Sequence, residues 1–162
     1  GVDHITVGLL AKAAGVDPTK VNYVAFSGGG EALAAILGNQ VTAGISSVSE
    51  FQAQADAGTM RILAVSTAER WPSTDAPTLK ESGLDVDVLN WRMVAAAPGL
   101  SDEQKAAVAA DIDKLANSEG WKSALATKGW ANTYLTGADF DAQLAKEIEA
   151  TTAVLKEIGL VQ

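Results

Sequence analysis

Residues 21–47, VNYVAFSGGGEALAAILGNQVTAGISS, decide the fold of this chain. Val21–Phe26 alternates and is rich in β-formers, so it reads as a strand. Ser27-Gly28-Gly29-Gly30 is a loop. Glu31–Leu37 reads as a short helix, stopped by Gly38. Val41–Ile45 reads as a second strand, and Ser46 and Ser47 open a helix that runs to about Ala57 and stops at Gly58. Arg61–Ser66, RILAVS, is a third strand. Strands alternating with short helices and joined by a few residues predict an α/β fold with a mainly parallel, helix-covered sheet.

Upstream, residues 4–14 read as a helix that stops at Gly15, and Asp17-Pro18 marks a turn. Downstream the pattern loosens. Trp71-Pro72, Ala76-Pro77 and Ser82-Gly83 punctuate it, Thr78–Glu81 fits one helical turn, and Asp85–Leu89 alternates like an edge strand. Residues 90–97, NWRMVAAA, form an extended apolar run stopped by Pro98-Gly99. The last third is helical. Ser101-x-x-Gln104 is a capping box, Trp121–Lys128 a helix closed by Gly129, and a long helix follows Gly137, with Phe140, Leu144, Ile148, Leu155 and Ile158 as its apolar stripe. The change from α/β to all-helical pattern divides the chain into residues 1–90 and 91–162.

Composition narrows the chemistry. Of 162 residues, 48% are apolar and 20% charged, the balance of a folded protein. The net charge of -8 disfavours nucleic acid and anionic lipid, which need a positive field. No apolar run reaches the roughly 18 residues that span a bilayer. With no cysteine and one histidine, thiolate catalysis and a zinc cage are disfavoured. The glycine run fits neither G-x-G-x-x-G nor G-K-[ST], so nucleotide binding is disfavoured too. The chain opens at Gly1-Val2-Asp3-His4 without an initiator Met and reads as a processed or truncated piece.

Three places share one design. Gly1–His4, Ser27–Gly30 and Ser46–Ser49 each lie where a helix starts, on the rim where ligands bind an open parallel sheet. A helix start offers unpaired N–H groups and the positive end of its dipole. Glycine admits close approach to the backbone, and serine adds a donor. Together they suit a carboxylate. The competing reading is ordinary capping, and Ser47-x-x-Glu50 is itself a capping box. Three consecutive glycines exceed what a cap needs.

His4 beside Asp3 suggests catalysis, but adjacent residues usually point apart, so Asp3 is poorly placed to orient His4, and no G-x-S-x-G elbow is present. Packing or hydrogen bonding at its helix start is the simpler role. Arg92, inside an apolar run, needs a carboxylate, a backbone carbonyl or a ligand as its partner. Trp71, Trp121 and Trp130 read as packing anchors, and Glu81, Asp85 and Asp87 as a solvated acidic face.

The stretches AKAAGVDPTKVNYVAFSGGGEALAAILGNQVTAGIS, EFQAQADAGTMRILAVSTAER, APTLKESGLDVDV and NWRMVAAAPGLSDEQ resemble the receptors of tripartite tricarboxylate transporters, the Bug-type solute-binding proteins. The resemblance covers almost the whole chain. It implies a two-lobed, periplasmic-binding-protein type 2-like flytrap that captures a di- or tricarboxylate, amino-acid or aromatic carboxylate and delivers it to membrane permease subunits. It implies no catalysis, cofactor or metal, and an extracytoplasmic location with any lipid anchor ahead of Gly1. The carboxylate-gripping turns of the family resemble Gly1, Val2, Asp3 and His4, and Ser27, Gly28, Gly29 and Gly30; Ser46 and Ser47 lie on the same rim. Residues 1–90 then correspond to the second lobe, and 91–162 to a crossover and helices returning to the first, whose front is absent. Thr42 stands where family members often carry Asp. The alternatives are a small α/β hydrolase using Ser27 or Ser47 with His4, and a one-lobed sensor or interaction domain.

Overall fold

The computed structural model describes residues 1–159 and 161. Six α-helices are described: α1 Val2–Ala13, α2 Gly29–Leu37, α3 Val48–Asp56, α4 Asp102–Ala116, α5 Glu119–Lys128 and α6 Gly137–Glu157, with a 3-10 turn at Pro18–Lys20 after α1. The chain divides into two compact units. One holds Gly1–Asn90 together with Glu147–Gln162; the other holds Trp91–Lys146.

The first unit is held by small residues on helix faces. α1 buries Thr6, Gly8 and Ala11. The Thr6 hydroxyl donates to the Val2 carbonyl at 2.9 Å, so burying it leaves no unsatisfied polar group. Gly8 admits the end of α6: a methyl placed on it meets Ile158 Cγ2 at 2.7 Å and Val154 Cγ1 at 3.6 Å. Lys12 pairs with Glu157 at 2.6 Å along the same contact. α2 buries Gly29, Ala32 and Ala35 at helical spacing, and α3 buries Phe51. Gly44 keeps the connection between them thin, because a side chain there strikes Ile36.

The helix ends follow one rule. After α1, Val16 N–H bonds the Ala11 carbonyl and Gly15 N–H the Lys12 carbonyl, at 2.8 and 2.9 Å. Gly15 supplies the left-handed residue that this closure needs, with φ 73°. The sequence places the stop of α2 at Gly38. The left-handed residue is instead Asn39, at φ 54°, with Gln40 N–H on the Ala35 carbonyl.

The expected sheet is largely missing. Val21–Phe26, Val41–Ile45 and Asp85–Leu89 form no strand, and the described residues hold one parallel bridge, Val65 to Thr78. Around it, Val65 N–H bonds the Pro77 carbonyl, Leu79 N–H the Val65 carbonyl and Val88 N–H the Ser66 carbonyl. The physical reason is that alternation and β-branching only suit a residue to a sheet; a ladder also needs a neighbouring strand for its N–H and C=O groups. Val24, Phe26 and Leu63 accordingly stay exposed. Thr78–Glu81 forms the expected turn as a reciprocal cap. Thr78 Oγ1 accepts from Glu81 N–H at 3.0 Å, and Glu81 Oε2 accepts from Thr78 N–H at 2.8 Å. Those bonds and Arg70 hold the Glu81 carboxyl below its usual range.

In the second unit, Ser101 and Gln104 form the complete capping box that the sequence predicts for α4. Ser118 caps α5, whose C-cap Gly129 is left-handed with φ 61°. Trp130 is no packing anchor. It is 54% exposed, with Lys128 Nζ over its ring at 5.4 Å. The stripe of α6 is only partly buried in that helix's later part, which belongs to the first unit: Ile148 is exposed, and the buried residue is Val154.

Candidate functional site

In the first unit the starts of α2 and α3 meet, and Glu50 joins them. Its carboxylate lies against Gly29, the first residue of α2; a methyl on Gly29 sits 2.7 Å from Glu50 Oε2. The Ser46 hydroxyl donates to the same oxygen. Glu50 also acts on Asp3, in the first turn of α1. Burial raises the Asp3 carboxyl pKa, and the negative charge of Glu50 raises it further. Burial and Asp3 in turn raise the Tyr23 phenol. His4 stacks on Tyr23, with ring centroids 4.1 Å apart and planes 3° from parallel.

The start of α2 holds its donors open. Gly28 is the N-cap, fully extended at φ -178° and ψ 173°, and contributes no side chain. Among the described residues the amides of Gly28, Gly29, Gly30 and Glu31 meet no acceptor, whereas Ser27 N–H donates to Glu31 Oε2 at 3.0 Å. A chain of N–H groups at the positive end of a helix can hold an anion. The sequence reading left Glu31 and Glu50 out of the site. Glu50 went unrecognised because Ser47-x-x-Glu50 reads as a capping box. That box does not form: Glu50 N–H bonds the Ser47 carbonyl at 3.0 Å and not its hydroxyl, and the Glu50 carboxylate accepts from Ser46, one residue before the N-cap.

The remaining candidates have structural partners. The His4 ring is engaged with Tyr23, and no hydrogen bond among the described residues joins it to Ser27, Ser47 or Asp3. Arg92 Nη1 donates to the Trp91 carbonyl at 3.1 Å. Lys80 pairs with Asp85 and Asp87 at 3.9 and 3.3 Å, and Arg70 with Glu81 at 2.9 Å, so each carboxylate of that acidic face has a cationic partner. The described residues contain no group of three metal-ligating side chains and no helix long and apolar enough to cross a membrane. An open groove of about 650 Å³ lies elsewhere in the first unit, lined by Gln52, Asp56, Arg61, Ile62, Ser73 and Thr74 among others, and shares no residue with the three helix starts.

Residues 1–160 match the family model described as tripartite tricarboxylate transporter family receptor. The chain belongs to this receptor family. Two solved structures resemble it in fold. R. palustris Rpa4515, solved with adipate, aligns with a TM-score of 0.80 at 24% identity, over 98% of this chain and 53% of that one. A TctC solute-binding protein from Polaromonas, solved without ligand, aligns with a TM-score of 0.74 at 25% identity, over 96% of this chain and 53% of that one. The receptor chain described here therefore spans about half the length of the solved structures it matches. No curated protein matches it.

Proposed function

We propose that this receptor chain is the ligand-gripping part of an extracytoplasmic solute-binding protein that takes up a small carboxylate for the permease subunits of a tripartite transporter. The observation that carries the reading is the start of α2, beside that of α3, where the amides of Gly28, Gly29, Gly30 and Glu31 are open among the described residues. Ser27 and Ser47 add hydroxyls, and the start of α1 at Gly1, Val2, Asp3 and His4 adds further N–H groups. Ser46 is committed to Glu50 until a ligand competes for it. Charge-assisted hydrogen bonds contribute about 1.5–3 kcal/mol each, so three or four of them offset ordering costs and support affinity near 1 µM, about -8 kcal/mol. The Rpa4515 structure, which carries adipate, supports the carboxylate class. In this reading residues 1–90 belong to one lobe of a flytrap, and the segment after Trp91 serves the other. Binding needs no metal, cofactor or bond cleavage.

Calorimetric titration of the full-length receptor with a panel of mono-, di- and tricarboxylates tests the proposal. Saturable binding of at least one of them at micromolar concentration is the expected result. A folded protein that gives no heat with any carboxylate overturns it.

A further inference from the structure

We infer that residues 71–75 are a flap on the groove beside the second half of α3, tied at its base by Arg70 and Glu81 and latched across the groove by Ser73. The groove lies between Gln52, Ala55 and Asp56 of α3, the stretch 60–63 and the loop 73–77. It shares no residue with the proposed carboxylate site, so the flap stands independently of that reading. The Glu81 carboxylate gathers both ends of the loop. Arg70 Nε donates to its two oxygens at 2.9 and 3.0 Å, and Thr78 N–H donates to Oε2 at 2.8 Å. Surface loops with joined ends are compact and move as units. The two sides of this loop are held differently. On the outgoing side, Ala76 and Thr78 are buried, and the Pro77 carbonyl and Leu79 N–H are bonded to Val65. On the incoming side, the bonds of residues 71–75 stay inside the loop. Thr74 N–H meets the Trp71 carbonyl at 3.3 Å, and Arg70 Nη1 meets the Asp75 carbonyl at 3.5 Å. Pro72 fixes its own φ and stiffens this arm. Among the described residues, one hydrogen bond ties the arm to α3: the Ser73 hydroxyl donates to Gln52 Oε1 at 3.1 Å. Gln52 is oriented for it. Its Nε2 donates to Asp56 Oδ1 at 2.7 Å, one turn further along α3, which turns the amide oxygen to the loop. A single neutral hydrogen bond shifts a closed–open equilibrium by about 2–10-fold, enough to favour the closed arm and weak enough to release it. Release moves Ser73 and Thr74 away from Ala55, Asp56 and Arg61.

The test uses the absence of cysteine from the sequence, which lets one introduced thiol report without background. Ala55→Cys puts the thiol on the groove wall, and Ala35→Cys puts a reference thiol on the buried face of α2 in the same unit. Each is labelled in the full-length receptor with a neutral disulfide reagent, dithiodipyridine, and thermal melts check that each variant is folded. Ser73→Ala removes only the latch hydroxyl. It should raise the labelling rate at position 55 by about 3–10-fold and leave position 35 within about 2-fold. Asp56→Asn should raise the rate at position 55 by less, because the asparagine oxygen still accepts from Gln52. Arg70→Gln unties the base; it should raise the rate at position 55 at least as far as Ser73→Ala does, and adding Ser73→Ala to it should then change that rate by less than about 2-fold, since the latch depends on the base. An unchanged rate at position 55 in folded Ser73→Ala overturns the flap. A rise of equal size at positions 55 and 35 also overturns it, because the whole unit has then loosened. So does full additivity of Arg70→Gln and Ser73→Ala, which makes base and latch independent.

Discussion

Replacing Gly30 by Ala tests most directly whether the glycine run is a binding surface or a helix cap. A methyl at Gly30 meets no atom within 4 Å, and Gly30 lies inside α2 with no left-handed backbone to strain. In a helix this exchange stabilises by about 0.5–1 kcal/mol, because alanine has less freedom to lose on folding. For a protein of this size that raises Tm by about 1–4 °C. Affinity should move the other way. The Cα–Cβ bonds of a helix lean toward its N-terminus, so the methyl crowds the open amides of Gly29 and Glu31. An anion that approaches this backbone closely should lose at least 10-fold in affinity, which is about 1.4 kcal/mol. Gly29→Ala is the companion. Its methyl meets Glu50 Oε2 at 2.7 Å, but Glu50 is the exposed end of a flexible side chain, so the fold survives and Glu50 moves. The assay is calorimetry with the tightest carboxylate of the panel, alongside thermal melts. Folded Gly30→Ala that melts higher and still binds with wild-type affinity refutes the reasoning, because it shows that nothing approaches the backbone there.

Three further outcomes follow from the packing. Gly8→Ala drives a methyl to 2.7 Å from Ile158 Cγ2; overpacking of about 1–3 kcal/mol, offset by about 1 kcal/mol of helix propensity, should lower stability by up to about 2 kcal/mol. In an Ile158→Ala background the same change should stabilise, and a double-mutant cycle by denaturant melts reads the difference. Thr78→Val keeps the shape of a residue only 2% exposed but strands the Glu81 N–H; it should cost about 1 kcal/mol and lower Tm by about 2–4 °C. The folded Asp3 carboxyl has a raised pKa, so the native state takes up a proton more readily than the unfolded chain, and stability falls as pH rises through that folded pKa. Asp3→Asn should therefore raise Tm at pH 7, with the gain vanishing below the ordinary carboxylate range; a gain that is constant with pH contradicts the assignment.

The sequence made the helices readable, because their signals are local. Ser101 and Gln104 cap α4 as their spacing requires, Gly15 and Gly58 end α1 and α3, and Gly129 ends α5. The family was legible as well, since Ser27–Gly30 and its flanking segments run through nearly the whole chain. The strands were not decided locally. Val21–Phe26 has strand composition but no neighbour to complete a ladder, and only the segment at Val65, which lies beside Pro77–Leu79, makes a bridge. The site divides in the same way. Three helix starts with glycine and serine could be found one by one along the chain. The meeting of those at α2 and α3 could not, and neither could the carboxylate between them. Whether Glu50 bonds its own helix start or reaches Ser46 and Gly29 depends on how α3 lies against α2, and hence on Ala32, Ala35 and Phe51 packing in the core. Hydrogen-bond spacing within a few residues determined the open amides at Gly28–Glu31; only the packing of separate helices decided which charges surround them.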